Sequence, residues 1–192
     1  MGHDHAVEER DAVSLFDELY RRHNRPVYAY LLGRCGDSDA AADLLQDTFL
    51  RAWRHLDDVR NVPQDRRRYW LLAVARNLAH DFHRRQAVRA PFGDPLPEVM
   101  PSADGRHDPV AATESGEQAA ALDGAIARLP EELRLIICLR YLGEMSSAEI
   151  GEALGRPAGT VRYQLAKARA LLAQDVRLQP ECPGAGSEGA TP

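Results

Sequence analysis

Apolar residues recur at helical spacing through two stretches of the chain and lose all periodicity between them. From Asp11 onward, Val13, Phe16, Leu19, Tyr20, Val27 and Leu31 return about every 3.6 residues, which predicts a helix. Pro26 sits inside this pattern without a backbone N–H, so a kink or break is expected there. Gly36-Asp37-Ser38-Asp39 reads as a turn and helix cap. It opens a helix carrying Leu44, Leu45, Thr48, Phe49, Ala52, Trp53 and Leu56 on one stripe. Asp57 to Asp65, polar and holding Pro63, reads as a loop. A third helix is predicted from about Arg67 to Gln86, with Trp70, Leu71, Val74, Leu78 and Phe82 inward.

Periodicity then stops. Ala90 to Gly116 holds five prolines and three glycines. Such a segment buries too little apolar surface to offset its ordering entropy, so it reads as a flexible linker. Helical spacing resumes near Glu117 with Ala119, Leu122, Ile126 and Leu129, and Pro130 starts a helix bearing Leu133, Ile136, Ile137 and Leu139. No alternating run is long enough for a sheet. The predicted fold is all-α: two small helical domains, 11–89 and 117–177, joined by the linker 90–116. Residues 1–10 read as a mobile N-terminus, and the Pro/Gly-rich 178–192 as a disordered tail.

Ser146 to Leu172 carries the clearest chemistry. Ala148, Ile150, Ala153 and Leu154 form the apolar face of a short helix. Gly155 suits the left-handed residue that ends it, and Pro157 the opening of the next. Val161, Leu165, Ala168 and Leu172 continue the apolar face, while Arg162, Tyr163, Gln164, Lys167 and Arg169 lie opposite. This is a helix-turn-helix, and its ligand class is DNA.

The formal net charge of −5 argues against that ligand until its distribution is read. Asp94 to Glu117 holds six acids against Arg106 alone. Arg60 to Arg89 holds eight arginines against two aspartates, and Gly155 to Arg177 five basic residues against one. Two cationic islands flank an anionic bridge, and local field governs phosphate attraction. Every basic residue but Lys167 is arginine, a bias that genome base composition explains equally well. No apolar run reaches the ~20 residues of a membrane span, and the N-terminus lacks the basic and apolar regions of a signal peptide. Three scattered cysteines without a CxxC support neither a zinc knuckle nor a disulfide framework and fit a reducing, cytoplasmic setting. His3-Asp4-His5 and the pair His80/His83 lack the further ligands a metal needs. Phosphate loop, nucleophile elbow and dinucleotide fingerprint are all absent from the sequence, so no cofactor, metal or catalytic residue is expected and the chain does not read as an enzyme.

Several blocks together resemble the bacterial extracytoplasmic-function (ECF, group IV) sigma factors of the sigma-70 family. Phe16 to Tyr20, Gly36-Asp37 and Ala42 to Trp53 look like the first conserved domain. Trp70 to Asn77, Asp81 and Arg84-Arg85 look like its promoter-melting part. Leu129-Pro130, Glu149-Ile150, Leu154-Gly155 and Gly159-Thr160-Val161 look like the second domain. The resemblance implies region 2 over 11–89 and region 4 over 117–177. It implies docking on the β′ coiled coil of core RNA polymerase through Asp43, Gln46, Asp47, Phe49, Leu50 and Trp53, with region 4 near the β flap. It assigns −10 recognition and melting to Arg67, Arg68, Tyr69, Trp70, Arg76, Asn77, Arg84 and Arg85, where arginines clamp phosphates and a flipped base is captured. It assigns −35 duplex reading to Arg162, Tyr163, Ala166 and Lys167, with Thr160 and Arg169 on phosphates. Tyr163 departs from the small polar residue frequent in the family. An anti-sigma factor is the implied inhibitor, and the acidic linker is expected to thread along the polymerase.

For the polymerase stripe, a solvated face over a core stripe remains an alternative, and core packing is the alternative for Trp70. Two competing functions remain: a sigma-like decoy that binds an anti-sigma factor without DNA, and a stand-alone helix-turn-helix regulator. The retained bases Arg162, Lys167 and Arg76, with Asn77, tell against the decoy. The basic first-domain helix tells against the regulator.

Overall fold

The computed structural model describes the backbone of residues 2–89 and 114–175, with side chains from 10–88 and 121–175. Most of the predicted linker and the whole predicted tail lie outside the described residues. All regular structure among the described residues is helical.

The first unit comprises α1 (Gly2–Cys35), α2 (Ser38–Arg54), α3 (Leu56–Asn61) and α4 (Arg67–Arg89). Asp37 is extended, at φ −129° and ψ 129°, and its side chain accepts the Ala40 N–H at 2.7 Å, so α2 opens on a satisfied cap. The α2 stripe turns Ala41, Leu44, Thr48, Phe49 and Ala52 inward. Thr48 adds no unsatisfied hydroxyl there, because it donates to the Leu44 carbonyl at 2.7 Å. Leu71, Leu72, Ala75, Leu78 and Ala79 of α4 meet Leu19, Val27 and Leu31 of α1 in the same core.

The second unit comprises α5 (Glu114–Ala127), α6 (Glu131–Tyr141), α7 (Ser147–Leu154) and α8 (Ala158–Gln174). Ser146 and Glu149 form a reciprocal capping box that starts α7, and Gly155, at φ 65° and ψ 37°, ends it. A Cβ at Gly151 would stand 2.5 Å from the Arg156 carbonyl, so the turn closes against glycine. Ile150, Val161, Leu165 and Ala168 close the helix-turn-helix over α6.

Two features differ from the sequence reading, and a third was left open by it. α1 starts at Gly2, ahead of Asp11, and runs on through Pro26. Val27, Ala29, Tyr30 and Leu31 are buried just beyond the proline, and that packing outweighs one missing hydrogen bond. Within the expected loop, Leu56 and Val59 bury and wind residues 56–61 into α3. The arrangement of the two units, open in the sequence, is a shared core. α6 lies against α1 more extensively than against any other helix. A Cβ at Gly33 would stand 2.6 Å from the Leu135 Cα, so α1 and α6 cross with almost no separation. Arg134 reaches across the crossing and donates to the carbonyls of Gly33 (3.0 Å) and Arg34 (3.4 Å), which the end of α1 leaves open.

Candidate nucleic-acid and docking surfaces

The outer face of α8 is the simplest surface. Burial of Val161, Leu165 and Ala168 forces the intervening positions outward. Thr160, Arg162, Tyr163, Ala166, Lys167 and Arg169 are all exposed, Tyr163 at 71%. Arg169 donates through Nε to the Leu165 carbonyl at 3.3 Å, which lays its guanidinium along the helix. Arg156 is committed to scaffold, donating to Gln164 at 3.3 Å and Glu132 at 2.9 Å. The face therefore carries two cations that reach outward, Arg162 and Lys167, on either side of an exposed ring. Its width suits a major groove.

The second surface is α4 and the turn before it. Arg76, Asn77, Arg84 and Arg85 are exposed along α4. Arg84 pairs with Asp81 at 3.4 Å, and Arg85 donates to the Asp81 carbonyl at 3.3 Å. Arg67 donates to the Val62 carbonyl at 3.2 Å and so closes the turn. Trp70 is half-buried and packs on the core. Tyr69 lies between two cations, with the Arg66 and Arg68 guanidinium carbons 5.9 and 6.0 Å from its ring centre.

This cationic start of α4 already has partners on α7. Arg68 donates to Glu149 at 2.8 Å, Tyr69 donates to Glu152 at 2.6 Å, and Arg66 pairs with Glu152. Burial and the hydrogen bond to Glu152 push the Tyr69 phenol up to about 12. The Ser146 backbone N–H holds the Glu149 carboxyl below its usual range, with Arg68 assisting, and Tyr69 does the same for Glu152 with Arg66. A cleft of about 280 Å³ opens beside these pairs, lined by Tyr30, Arg66, Tyr69, Leu72, Ala73, Arg76, Glu152 and Ala153.

Beneath the turn, His23 is buried at 7% exposure with Nδ1 unpartnered. Burial and the neighbouring Arg68 depress it to about 4, so it is neutral. Glu149, Glu152 and His23 are absent from the −10 site read in the sequence, and Arg66 enters it only as part of the loop Arg60 to Tyr69, which the family resemblance assigns to the −10 element. Arg66 had a local signal, the run Arg66-Arg67-Arg68. The others are tied to the site only through contacts distant along the chain.

The third surface is the outer stripe of α2. Asp43, Gln46, Asp47, Leu50 and Trp53 fall at successive helical steps and all are exposed, Leu50 at 46% and Trp53 at 43%. Phe49 lies on the opposite side, 3% exposed, in edge-on contact with Phe16 and Tyr20 at ring separations of 6.2 and 4.9 Å. Trp53 leans on Phe16 at 5.2 Å. Two large apolar side chains flanked by acids suit a helical partner with basic residues. Among the described residues, no group of three or more His, Cys, Asp or Glu is placed to hold a metal. Nor is any helix among them long and apolar enough to cross a membrane.

Known families coincide with these two units. Sigma-70 region 2 matches residues 19–89, and Sigma-70, region 4, matches residues 119–172. The chain is 35% identical over 157 residues to the ECF RNA polymerase sigma factor SigL of Mycobacterium tuberculosis, covering 79% of this chain and 83% of that one. It is 29% identical to SigM of Bacillus subtilis, covering 80% and 90%. Among solved structures it resembles the sigma factor RpoE, in complex with the anti-sigma factor NepR, from Bartonella quintana. The TM-score is 0.57 at 18% identity, covering 86% of this chain and 94% of that one, a likeness of fold. With both regions matched in order and a relative above 30% identity aligned along most of its length, the chain belongs to the ECF sigma factors of the sigma-70 family.

Proposed function

We propose that this chain is an alternative sigma factor of the group IV type, with region 2 over 11–89 and region 4 over 117–177, and that it works in the cytoplasm beside promoter DNA. It is not itself a catalyst. It brings core RNA polymerase to a promoter subset and assists strand opening. The observation that carries this reading is the pairing of two separate cationic surfaces, α4 with its leading turn and the outer face of α8, in one chain. A duplex reader alone needs only the second.

The division of labour follows from chemistry. Arg162 and Lys167 reach base edges and phosphates of the −35 duplex, where a bidentate arginine–guanine contact is worth about 1–3 kcal/mol of discrimination. Thr160 and Arg169 hold phosphates. On α4 and its turn, Arg67, Arg68, Arg76, Arg84 and Arg85 track the −10 backbone, while Asn77 and the rings of Tyr69 and Trp70 face unstacked bases. Asp43, Gln46, Asp47, Leu50 and Trp53 dock on the β′ coiled coil, Phe49 supports them from inside the core, and region 4 meets the β flap. An anti-sigma factor covering both regions is the fitting inhibitor, in keeping with the complex of the Bartonella quintana neighbour.

Run-off transcription with core polymerase and a promoter library tests this. Initiation that depends on added chain is the expected result. DNA binding without initiation would make it a regulator, and binding to an anti-sigma factor without either would make it a decoy. In the same assay, Arg162→Ala with Lys167→Ala should weaken −35 duplex binding at least tenfold, about 1.4 kcal/mol, with core-polymerase affinity unchanged. Equal loss of core binding would overturn the division of labour.

A further inference from the structure

Tyr163 is the residue of α8 that the scaffold does not explain. It is 71% exposed, more than any other large apolar side chain among the described residues. Its ring and hydroxyl have no hydrogen-bond, ion-pair or ring partner among them. Its neighbours along the outer face are small. Gly159 stands one turn before it and Ala166 one turn after, and both are exposed. A helical side chain leans toward the N-terminus, so the ring overhangs the bare turn at Gly159. Arg162 leans the same way, with its Nη2 4.0 Å from where a Cβ on Gly159 would stand. Arginine and ring therefore lie side by side at the leading end of α8, with Lys167 one turn behind.

In a major groove these two side chains match different chemistry. Consecutive helical residues are about 1.5 Å apart along the axis, less than the spacing of stacked bases, so Arg162 and Tyr163 reach the same or adjacent base pairs. Arg162 finds its acceptors on guanine. The ring offers an apolar surface, and the apolar group on a base edge is the C5 methyl of thymine. The amino groups of cytosine and adenine would lose water against the ring without gaining a strong partner.

Resting on the reading of α8 as the −35 reader, we propose that Tyr163 sets base preference in this chain by covering the C5 methyl of a thymine beside the base that Arg162 takes. The contact is apolar burial and makes no use of the hydroxyl. The ring stands where the family frequently has a small polar residue, so the preference is a property of this chain rather than of the fold.

Uracil is thymine without that methyl, and it keeps the same pairing edge and the same O4 acceptor. The test uses holoenzyme assembled from core RNA polymerase and the full chain, with a promoter recovered from the run-off library. Each −35 thymine, on either strand, is replaced singly by deoxyuridine. Binding is read by electrophoretic mobility shift for wild type, Tyr163→Phe and Tyr163→Ser. Neither variant touches the core, and equal unfolding midpoints establish that all three proteins are folded. At one position uracil should weaken binding about fourfold in wild type and Tyr163→Phe, the value of one buried methyl, and less than about 1.5-fold in Tyr163→Ser. An equal uracil effect in Tyr163→Ser, no effect at any position in wild type, or recovered promoters without a −35 thymine would overturn the proposal. So would a loss in Tyr163→Phe on thymine and uracil alike, which would assign the role to the hydroxyl. If wild-type holoenzyme initiates but ignores the methyl, only the methyl contact has failed. If it initiates nowhere, the sigma reading has failed and the methyl contact falls with it.

Discussion

Gly33→Ala decides between two pictures of this chain because they predict opposite signs. In an exposed helix interior, glycine to alanine stabilises by about 1 kcal/mol, since alanine loses less backbone freedom on folding. If regions 2 and 4 moved independently, that gain would be the whole effect. In the structure Gly33 is buried at the α1–α6 crossing. A Cβ there meets the Leu135 Cα at 2.6 Å and its Cδ1 at 2.9 Å. Backbone cannot swing aside, so the helices must part, and overpacking of this kind costs about 1–3 kcal/mol. Set against the propensity gain, the net runs from about zero to a loss of about 2 kcal/mol, where independent units give a gain of about 1 kcal/mol. Gly124→Ala in α5 is the matched control, because its Cβ meets only Nη1 of Arg128 at 3.2 Å, the far end of a flexible side chain that can shift a few tenths of an ångström while keeping its pair with Asp175, and it should stabilise. Urea unfolding of the full chain gives both values. The cost cannot exceed the docking free energy, since the units can separate; a broadened or split transition in Gly33→Ala would register that limit. Stabilisation of Gly33→Ala equal to that of Gly124→Ala would refute the packed arrangement.

Two other residues make independent predictions. His23 is neutral when folded, with its pKa lowered from 6.5 to about 4, so the unfolded chain binds the extra proton. The stability it carries is complete above about pH 6.5 and is lost as pH falls toward 4. Lowering pH from about 7.5 to 5 should cost roughly 2 kcal/mol in urea unfolding, and His23→Gln should flatten that dependence. Glu149 and Glu152, whose pKa values are lowered from 4.5, act below this window and do not confuse it. A pH dependence unchanged in His23→Gln would assign the effect elsewhere. Arg134 donates to three carbonyls, those of Gly33, Arg34 and, at 3.1 Å, Ala127. A lysine cannot span them, so Arg134→Lys should lower stability by about 1–2 kcal/mol. A midpoint within error of wild type would show that the fork is dispensable.

How much of this was legible in the sequence depends on the range of the interaction. The Asp37 cap, the Ser146–Glu149 box and Gly155 are local, and the helices they bound follow from them. A six-residue helix such as α3 shows less than two turns of periodicity, and Pro63 just beyond it reads as loop. Pro26 is a rule about isolated helices that tertiary burial overrides. The exposed face of α8 followed directly from its apolar stripe, whereas Phe49 and Trp53 could not be separated by spacing alone. Only the structure shows one inward and the other half outward.

The closed arrangement of the two regions had one trace in the sequence, and α6 carries it. Leu135-Ile136-Ile137-Cys138-Leu139 is five apolar residues in succession, and a helix with one neighbour needs only a stripe. All five are buried. The helix-turn-helix covers one side of α6, and α1 covers the side that includes Leu135. An all-round apolar helix in a domain of about 60 residues announces a second partner, though not which one. Identifying α1 as that partner needed Gly33, a residue whose only sequence signature is a missing side chain. The same crossing that buries Leu135 sets Glu149 of α7 against Arg68.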